Sequence, residues 1–399
     1  MEYHFSEFDV IDQSDDIKPA KSHVFSKDTA AITLAFHQGV PGYAPTQLVH
    51  LHSLAKEMGI RDILVKDEST RFHLKAFKGL GGSYAMFRIL CEKLGLNPET
   101  TCFNDLRQES YAEACAEMHF VTATDGNHGK GVSWAAGIFG CQASIFMPAG
   151  TVESRRQAIE EAGSGTAVIT NLNYDGTVAY AARMAEEKGW ILIQDTAWEG
   201  YEKYPQWISE GYLTMAQELK EQAGVLKPTH VFLQAGVGSM AGAVLDGLSD
   251  IYSDRPPVFS IVEPCAAACF YASVQAGDGR PHSIDGNPET IMAGLNCGTP
   301  SKTVWPIIRD QASFFWACDD EITRNGMRKY ARPCGDDLPI TAGESGAVTL
   351  GTAMAVLEHP ELRKIYGITK DSVILLINTE GDTDPEDYLK VVGKKPGKG

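Results

Sequence analysis

The stretch "HFVTATDGNHGKGVSWAAGIFG", residues 119–140, decides the fold. Residues 119–124 form a short run with β-branched and aromatic side chains, which predicts a buried strand. From Gly126 onwards small and apolar residues recur at helical spacing until Gly140, which predicts a helix that ends on a glycine. A strand that passes through a polar turn directly into a helix is the repeating unit of parallel α/β proteins.

The same alternation extends outward along the chain. It predicts further strands at 143–147, 166–170, 190–194, 229–234, 258–263 and 372–378, with helices at 153–163, 175–189, 238–252, 266–277 and 344–359. Earlier segments predict a loop-rich start, a helix at 48–59, a strand at 62–68 and a polar insertion at 97–115. We therefore expect an α/β protein of two lobes, each an open, mostly parallel sheet covered by helices.

The two groups of strands also predict the domain boundaries. Residues 89–196 are expected to form a small α/β domain, and residues 1–88 with 197–399 a large, discontinuous domain that binds the cofactor. In open α/β sheets ligands bind beyond the carboxyl ends of the strands. The polar motifs described below all lie at such strand ends.

Composition and charge narrow the class of protein. The chain of 399 residues carries a formal net charge of -17, which argues against nucleic acid or an anionic membrane as partner. Its nine cysteines are scattered without a zinc-binding spacing, so no metal site is predicted. Whether Cys269 and Cys297 approach each other stays open. The acidic N-terminus lacks a signal-peptide core, and we expect a cytoplasmic protein.

Lys78, in "KAFKGLGG", stands between Phe77 and a run of glycines. In such apolar surroundings desolvation lowers the pKa of a lysine, and the neutral amine is a nucleophile toward aldehydes. Taken by itself, the motif is more typical of a solvated lysine at the start of a helix.

The segment "QAGVGSMAG", residues 234–242, predicts an anion-binding turn between a strand and a helix. Its glycines allow a tight turn, and the N–H groups that follow can bind a phosphate at the helix N-terminus. A plain strand–helix turn remains the alternative. Glu263 lies about twenty residues further on, where a dinucleotide fold places its ribose carboxylate, so an NAD(P)-dependent dehydrogenase is a competing hypothesis.

A third motif, "TATDGNHGKG", opens the helix after residue 124. Its backbone donors suit a carboxylate, and Asn127 can bond a phenolic oxygen. Asp125 would repel a carboxylate unless the ligand carried a second ammonium group. Two further strand ends bear Asp195 and Thr379, which are capping or turn residues if considered alone.

Together these motifs resemble those of the tryptophan-synthase-like, fold type II enzymes that use pyridoxal 5′-phosphate (PLP). "VKDESTRFHLKAFKGLGG" resembles their lysine motif, and "TDGNHG" their Ser-x-Gly-Asn-His turn, with Asp125 in place of a hydroxyl residue. Within that superfamily, "QDTAWEGY", "QAGVGSMAG" and "NTEGDTD" are similar to segments of the diaminopropionate ammonia-lyases. The resemblance extends from about residue 36 to residue 392.

The resemblance implies a role for each matching residue. Lys78 would hold PLP as a Schiff base, Asn127 would bond the phenolic oxygen and Thr379 would face the ring nitrogen. The phosphate would be bound by the turn of Gly236, Val237, Gly238, Ser239 and Met240. The amino-acid substrate would meet Thr124, Asp125, Gly126, His128 and Asp195.

The activity that the resemblance implies is elimination of ammonia from D- and L-2,3-diaminopropionate by a homodimer. Two enantiomers require bases on opposite faces of the substrate, and Lys78 and Asp125 are the candidates. The resemblance leaves open any preference between the D and L substrates, and the division of roles between Asp125 and Asp195. The nearest alternative is a PLP-dependent serine or threonine dehydratase, in which position 125 is expected to hold a hydroxyl residue.

Overall fold

The computed structural model describes residues 1–18, 23–284 and 289–393. The strands are β1 Glu2–His4, β2 Phe8–Asp12, β3 Leu48–His50, β4 Asp62–Asp67, β5 His119–Ala123, β6 Gln142–Met147, β7 Gly165–Ile169, β8 Ile191–Leu192, β9 His230–Gln234, β10 Val258–Pro264, β11 Phe314–Cys318 and β12 Val373–Asn378. Within these ranges, no helix has both the length and the apolar character needed to cross a membrane.

The helices that alternate with these strands vary from one turn to nearly five. They are α1 Lys27–Gln38, α2 His52–Glu57, α3 Lys78–Leu94, α4 Phe103–Leu106, α5 Glu109–Glu117, α6 Asn127–Phe139, α7 Glu153–Ala162, α8 Tyr174–Lys188, α9 Lys203–Gly211, α10 Leu213–Ala223, α11 Ser239–Ile251, α12 Cys269–Ala276, α13 Trp305–Gln311, α14 Asp320–Ala331, α15 Glu344–Glu358, α16 Pro360–Ile365 and α17 Pro385–Val392.

The larger sheet has eight strands in the order β1-β2-β11-β10-β9-β12-β4-β3. Its five central strands, β11, β10, β9, β12 and β4, are parallel, whereas β2 and β3 pair antiparallel to them. Every residue of β9 and β12 is buried, because α15 packs on both strands. Continuous apolar runs such as "VILLIN" are typical of strands in this position.

The smaller sheet has four parallel strands in the order β7-β6-β5-β8. Helices α6 and α8 both pack on β5, and Val121, Ala123, Phe146 and Ala181 form an apolar cluster in this unit. The predicted fold class, two open and mostly parallel sheets covered by helices, is confirmed.

Contacts between Cα atoms divide the chain into two compact units. The larger comprises 1–26, 45–76 and 218–399, and the smaller comprises 27–44 and 77–217. The smaller unit is thus wider than the predicted 89–196, because α3 packs along α6 and α9 and belongs with them. Helix α1 also joins it, since the Phe36 ring stacks on Phe87 with the ring centroids 4.3 Å apart.

Several segments differ from the sequence prediction. The predicted helix at 48–59 begins as strand β3, and helix α2 starts only at His52. The predicted loop at the N-terminus contains β1, β2 and α1, and the polar insertion contains α4 and α5. Strand β11 and helix α14 were not predicted. Strands β1 to β3 are short and lie at or next to the edges of the larger sheet, so pairing with neighbouring strands stabilises them more than their own sequence does.

Candidate active site

Lys78 is the first residue of α3, in the smaller unit. Its ammonium nitrogen donates a hydrogen bond to Oδ2 of Asp195 over 2.6 Å and lies 5.4 Å from the centroid of the Phe77 ring. The sequence predicted apolar surroundings and a neutral amine. The aromatic neighbour is present, but the carboxylate partner stabilises the charged ammonium form.

Asp195 reaches Lys78 because the chain after β8 is tied to β5. The Gln194 side-chain oxygen accepts hydrogen bonds from Oγ1 of Thr122 and from the N–H of Ala123. The Gln194 N–H donates to the hydroxyl oxygen of Tyr201 over 2.8 Å. These bonds fix the main chain on the N-terminal side of Asp195, so its carboxylate has a defined direction.

The two aspartates of this unit differ in charge at neutral pH. Burial by itself would raise the pKa of Asp195, but the charge of Lys78 and the hydrogen bond that it donates outweigh the effect of burial and hold that pKa at about 2. Burial raises the pKa of Asp125 to about 7 against the attraction of Arg155, and the neighbouring charge of Asp195 adds to the rise. Asp195 is therefore ionised at neutral pH, whereas Asp125 can gain and lose a proton near neutrality.

The turn before α6 is held by Thr124. Its buried hydroxyl oxygen accepts hydrogen bonds from the N–H groups of Gly126, over 2.9 Å, and Gly129, over 3.0 Å. Asn127 is the first residue of α6 and is half-buried, as is Asp125. The predicted substrate and cofactor residues of this motif thus lie together on one short, hydrogen-bonded turn.

His128 is buried beside Asp195. Its Nε2 lies 2.8 Å from the carbonyl oxygen of Ile193 and therefore carries the proton. Its Nδ1 lies 3.8 Å from Oδ2 of Asp195 and has no hydrogen-bond partner among the described residues. Burial lowers the pKa of His128, so the imidazole is neutral and Nδ1 is an unused acceptor.

Helices α3 and α6 meet at Gly131. A Cβ atom at Gly131 would lie 2.9 Å from the carbonyl carbon and oxygen of Lys78, closer than such atoms approach in proteins. The lack of a side chain at Gly131 therefore allows the start of α3 to lie against α6. This contact places Lys78 relative to the turn that bears Asp125.

The segment before Lys78 belongs to the larger unit and is anchored by buried charges. The guanidinium of Arg71 donates to the carboxylates of Glu68 and Glu218, and all three side chains are almost fully buried. Three nearby residues other than glycine have positive φ: Phe72, His73 and Lys75. Such conformations persist where surrounding contacts impose them, so the buried ion pairs hold a strained connection in the motif that contains Lys78.

The predicted phosphate turn lies in the larger unit, between β9 and α11. Gly238 has φ +88°, and a Cβ there would lie 2.4 Å from Cζ of Phe270. Ser239 begins α11, a helix of 13 residues whose first N–H groups have no carbonyl partner within the helix. Residues Gly236 to Met240 thus form an anion-binding helix start that fits a phosphate group.

Thr379 follows β12, and its side chain is buried. Its hydroxyl oxygen accepts a hydrogen bond from Nε2 of Gln234 over 3.1 Å, and Gln234 also donates to the carbonyl oxygen of Ile377. With its oxygen engaged as acceptor, Thr379 can donate its proton to an unprotonated pyridine nitrogen. The larger unit thus fits both the phosphate and the ring nitrogen of PLP.

Glu263 does not fit a ribose ligand. It is fully buried, and its two carboxylate oxygens accept hydrogen bonds from the N–H groups of Phe270 and Tyr271 over 2.8 Å each. The carboxylate is therefore used within the larger unit to cap α12. Cys269 and Cys297 do not form a disulfide bond with each other, and Sγ of Cys269 lies 3.6 Å from the carbonyl oxygen of Cys297.

Two polar residues of these sites were not predicted. Gln234 orients Thr379, and its place as the polar end of a buried strand was a signal in the sequence. Tyr212 has a buried hydroxyl without a hydrogen-bond partner among the described residues, and its ring packs on Phe77 with the centroids 4.9 Å apart. Only the tertiary structure brings Tyr212 to Phe77, so no sequence pattern marks it.

The fold and the residue set define a PLP-dependent enzyme, and comparisons with known proteins agree. A model of the family described as "Pyridoxal-phosphate dependent enzyme" matches residues 40–380. The diaminopropionate ammonia-lyase of Escherichia coli (strain K12) is 47% identical over 377 residues, covering 93% of each chain.

Solved structures of the Escherichia coli enzyme are also similar to this chain. Its holo form has a TM-score of 0.90 at 45% identity, covering 98% of this chain and 97% of the other. Its complex with an aminoacrylate–PLP azomethine reaction intermediate has a TM-score of 0.88 at 45% identity, covering 98% of both chains. The chain belongs to the diaminopropionate ammonia-lyase family. The predicted family and the predicted cofactor, PLP, are thereby confirmed, and the dehydrogenase hypothesis is wrong.

Proposed function

We propose that this protein converts 2,3-diaminopropionate and water into pyruvate and two molecules of ammonia, with PLP as cofactor. The observation that carries the proposal is Asp125, an ionisable carboxylate where fold type II dehydratases are expected to have a hydroxyl residue. A carboxylate there can pair with the second ammonium group, which distinguishes this substrate from serine. The names of the relatives at 44–47% identity support the same substrate.

The residues that would hold PLP are those predicted from the sequence. Lys78 would bind its aldehyde carbon, Asn127 its phenolic oxygen and the turn from Gly236 to Met240 its phosphate. Thr379 would donate a hydrogen bond to its ring nitrogen. When bound, PLP supplies an electron sink that stabilises negative charge on Cα of the substrate.

Lys78 and Asp195 form an ion pair before PLP binds. Asp195 remains ionised because its pKa is about 2, and it holds the Lys78 ammonium 2.6 Å away. A substrate ammonium can take the place of the lysine beside this carboxylate, with Nδ1 of His128 as a second acceptor 3.8 Å from it. Lys78 could accept the Cα proton on one face of the substrate only as the neutral amine, after its ammonium has released a proton to solvent.

Asp125 would serve as base on the opposite face. A general base works best when its pKa lies near the working pH, and the pKa of Asp125 is about 7. With Lys78 on one face and Asp125 on the other, the same site can process both the D and the L enantiomer. The protonated Asp125 or Lys78 can then deliver a proton to the departing β-amine.

The alternative is a PLP-dependent serine or threonine dehydratase. Its leaving group is a hydroxyl, which carries no charge for Asp125 to bind. Product stoichiometry separates the two: diaminopropionate gives two ammonia per pyruvate, whereas serine gives one. Equal or greater kcat/KM with serine than with diaminopropionate would favour the dehydratase.

The experiment is an absorption spectrum of the purified protein before and after borohydride, with pyruvate and ammonia measured after addition of each enantiomer. We expect a visible band that borohydride removes, and two ammonia per pyruvate. The Lys78→Ala variant should lack covalently bound cofactor, and Lys75→Ala, an exposed lysine three residues earlier, should retain it. Full turnover by Lys78→Ala would refute the assignment.

The proposal includes two features of the whole molecule that rest on the sequence analysis. One is a homodimer, which light scattering coupled to size-exclusion chromatography tests directly. The other is a cytoplasmic location, which fractionation of the source cells tests. A monomer with full activity would contradict the first of these.

A further inference from the structure

A cluster of possible metal ligands lies within the larger unit and includes none of the site residues described above. His50 ends strand β3, His52 is two residues later, and Asp62 begins the neighbouring strand β4. One ligand atom from each of the three side chains lies within 4.8 Å of the other two. The established activity uses none of these residues.

The pairing of β3 with β4 builds this cluster. His50 is paired with Leu64 in the antiparallel register, so Asp62 is the diagonal neighbour of His50 on the same face. His52 follows His50 by two residues, which brings both imidazoles to the same corner. Because His52 and Asp62 are well separated in the sequence, the sequence alone does not indicate that they lie close together.

The distances fit a transition-metal ion. Nδ1 of His50 lies 2.9 Å from Oδ2 of Asp62, and Nδ1 of His52 lies 3.2 Å from Oδ1. Ligands about 2.0–2.1 Å from a tetrahedral zinc ion are roughly 3.3 Å apart, close to both values. Small movements of the two imidazoles would admit an ion, since His50 and His52 are 32% and 70% exposed.

The Asp62 carboxylate is already held in a fixed orientation in which it could act as a metal ligand. Asp62 is buried, and Oδ1 accepts a hydrogen bond from the N–H of Ile63 over 2.9 Å. A ligating carboxylate that is held by hydrogen bonds keeps its direction when the metal leaves. The exposed histidines leave room for water as a fourth ligand.

We propose that His50, His52 and Asp62 bind a divalent first-row transition-metal ion such as Zn²⁺. Two imidazoles and one carboxylate form a donor set suited to zinc, copper or nickel rather than to magnesium or calcium. Binding through Nδ1 requires each neutral imidazole to carry its proton on Nε2, which faces away from the ion. The ion would cross-link the connection between β3 and α2 to strand β4, at the edge of the larger sheet.

The test is titration of the PLP-loaded, full-length protein with Zn²⁺ by calorimetry, and with Co²⁺ followed by visible difference spectra. We expect one site whose Co²⁺ bands are those of nitrogen and oxygen ligands, without the near-ultraviolet charge-transfer band of thiolates. His50→Gln and His52→Gln should each raise the Kd at least about tenfold, since loss of a supporting group alone costs about 10–100-fold. The matched control is His282→Gln, another exposed histidine, which lies 3.1 Å from Asp278 and belongs to no cluster of three possible metal ligands among the described residues.

Thermal unfolding provides a second readout. An ion that binds the folded state raises the unfolding temperature of the wild type and of His282→Gln, and it should not raise that of His50→Gln or His52→Gln. Equal Zn²⁺ affinity in the wild type and in both cluster variants would overturn the proposal, because the ion would then be bound elsewhere. Absence of wild-type binding at submillimolar Zn²⁺ would overturn it as well.

Discussion

Replacing Asp125 with asparagine tests the assignment of a separate base to each enantiomer. Asparagine keeps the size of the side chain and its place in the turn before α6, but it cannot accept the Cα proton. A positioned general base contributes about 10²- to 10⁴-fold to the rate. We therefore expect kcat/KM of Asp125→Asn to fall by that factor with one enantiomer and far less with the other, which uses Lys78.

The structure also gives the pH dependence of this step. Asp125 must be ionised to act as a base, and its pKa of about 7 means that about 9% is ionised at pH 6 and about 90% at pH 8. For the enantiomer that depends on Asp125, kcat/KM of the wild type should rise about tenfold between these pH values. The rise should be absent in Asp125→Asn, where no carboxyl group titrates.

The assay is steady-state pyruvate formation from each pure enantiomer between pH 5.5 and 9. Asp175→Asn is the control, because Asp175 is an exposed aspartate in the first turn of α8 in the same unit. Equal loss of activity with the D and L substrates would show that Asp125 binds the substrate in general and is not the base for one face. An unchanged pH profile in the variant would refute the assignment independently.

Four further substitutions test the geometry. Gly131→Ala places a Cβ 2.9 Å from Lys78 carbonyl atoms, so urea unfolding should show a loss of about 1–3 kcal/mol and weaker PLP binding. Gly238→Ala, at φ +88°, should weaken PLP binding measured by absorbance titration, whereas Ser239→Ala should change it little. Asp195→Asn should lower the free energy of unfolding of the PLP-free protein at pH 6 by roughly 2 kcal/mol. The pKa of Asp195 is about 2 in the folded protein, compared with an ordinary value of 3.8. This difference stabilises the folded state above pH 4, and the stabilisation is lost as the pH falls through about 2.

Local patterns predicted the repeating strand–helix units well. The runs that became β5, β6, β9, β10 and β12 are continuous and apolar because parallel central strands are buried on both faces. Strand β11, "FFWAC", has the same character but was not predicted. Strands β1 to β3 were not predicted because runs of three to five residues have too few side chains to show a period.

The sequence predicted the motifs of the candidate site but did not predict their local geometry. The sequence motifs indicated Lys78, at the start of a helix, and Asp125 and Asp195, after strands, as functional groups. The bond between Lys78 and Asp195 joins residues 117 positions apart, and the pKa of about 7 at Asp125 comes mainly from burial. Neither this hydrogen bond nor this pKa can be predicted from a short stretch of sequence, since both depend on which chain segments pack around the two aspartates and Lys78.

By itself the sequence determined the α/β class, the family and the chemical groups available for catalysis, because periodicity and motif spacing are properties of neighbouring residues. Tertiary structure alone decided the ionisation of these groups, the partner of Lys78 and the meeting of His50 and His52 with Asp62. Those features follow from electrostatics and strand register, which act through space between segments distant in the chain.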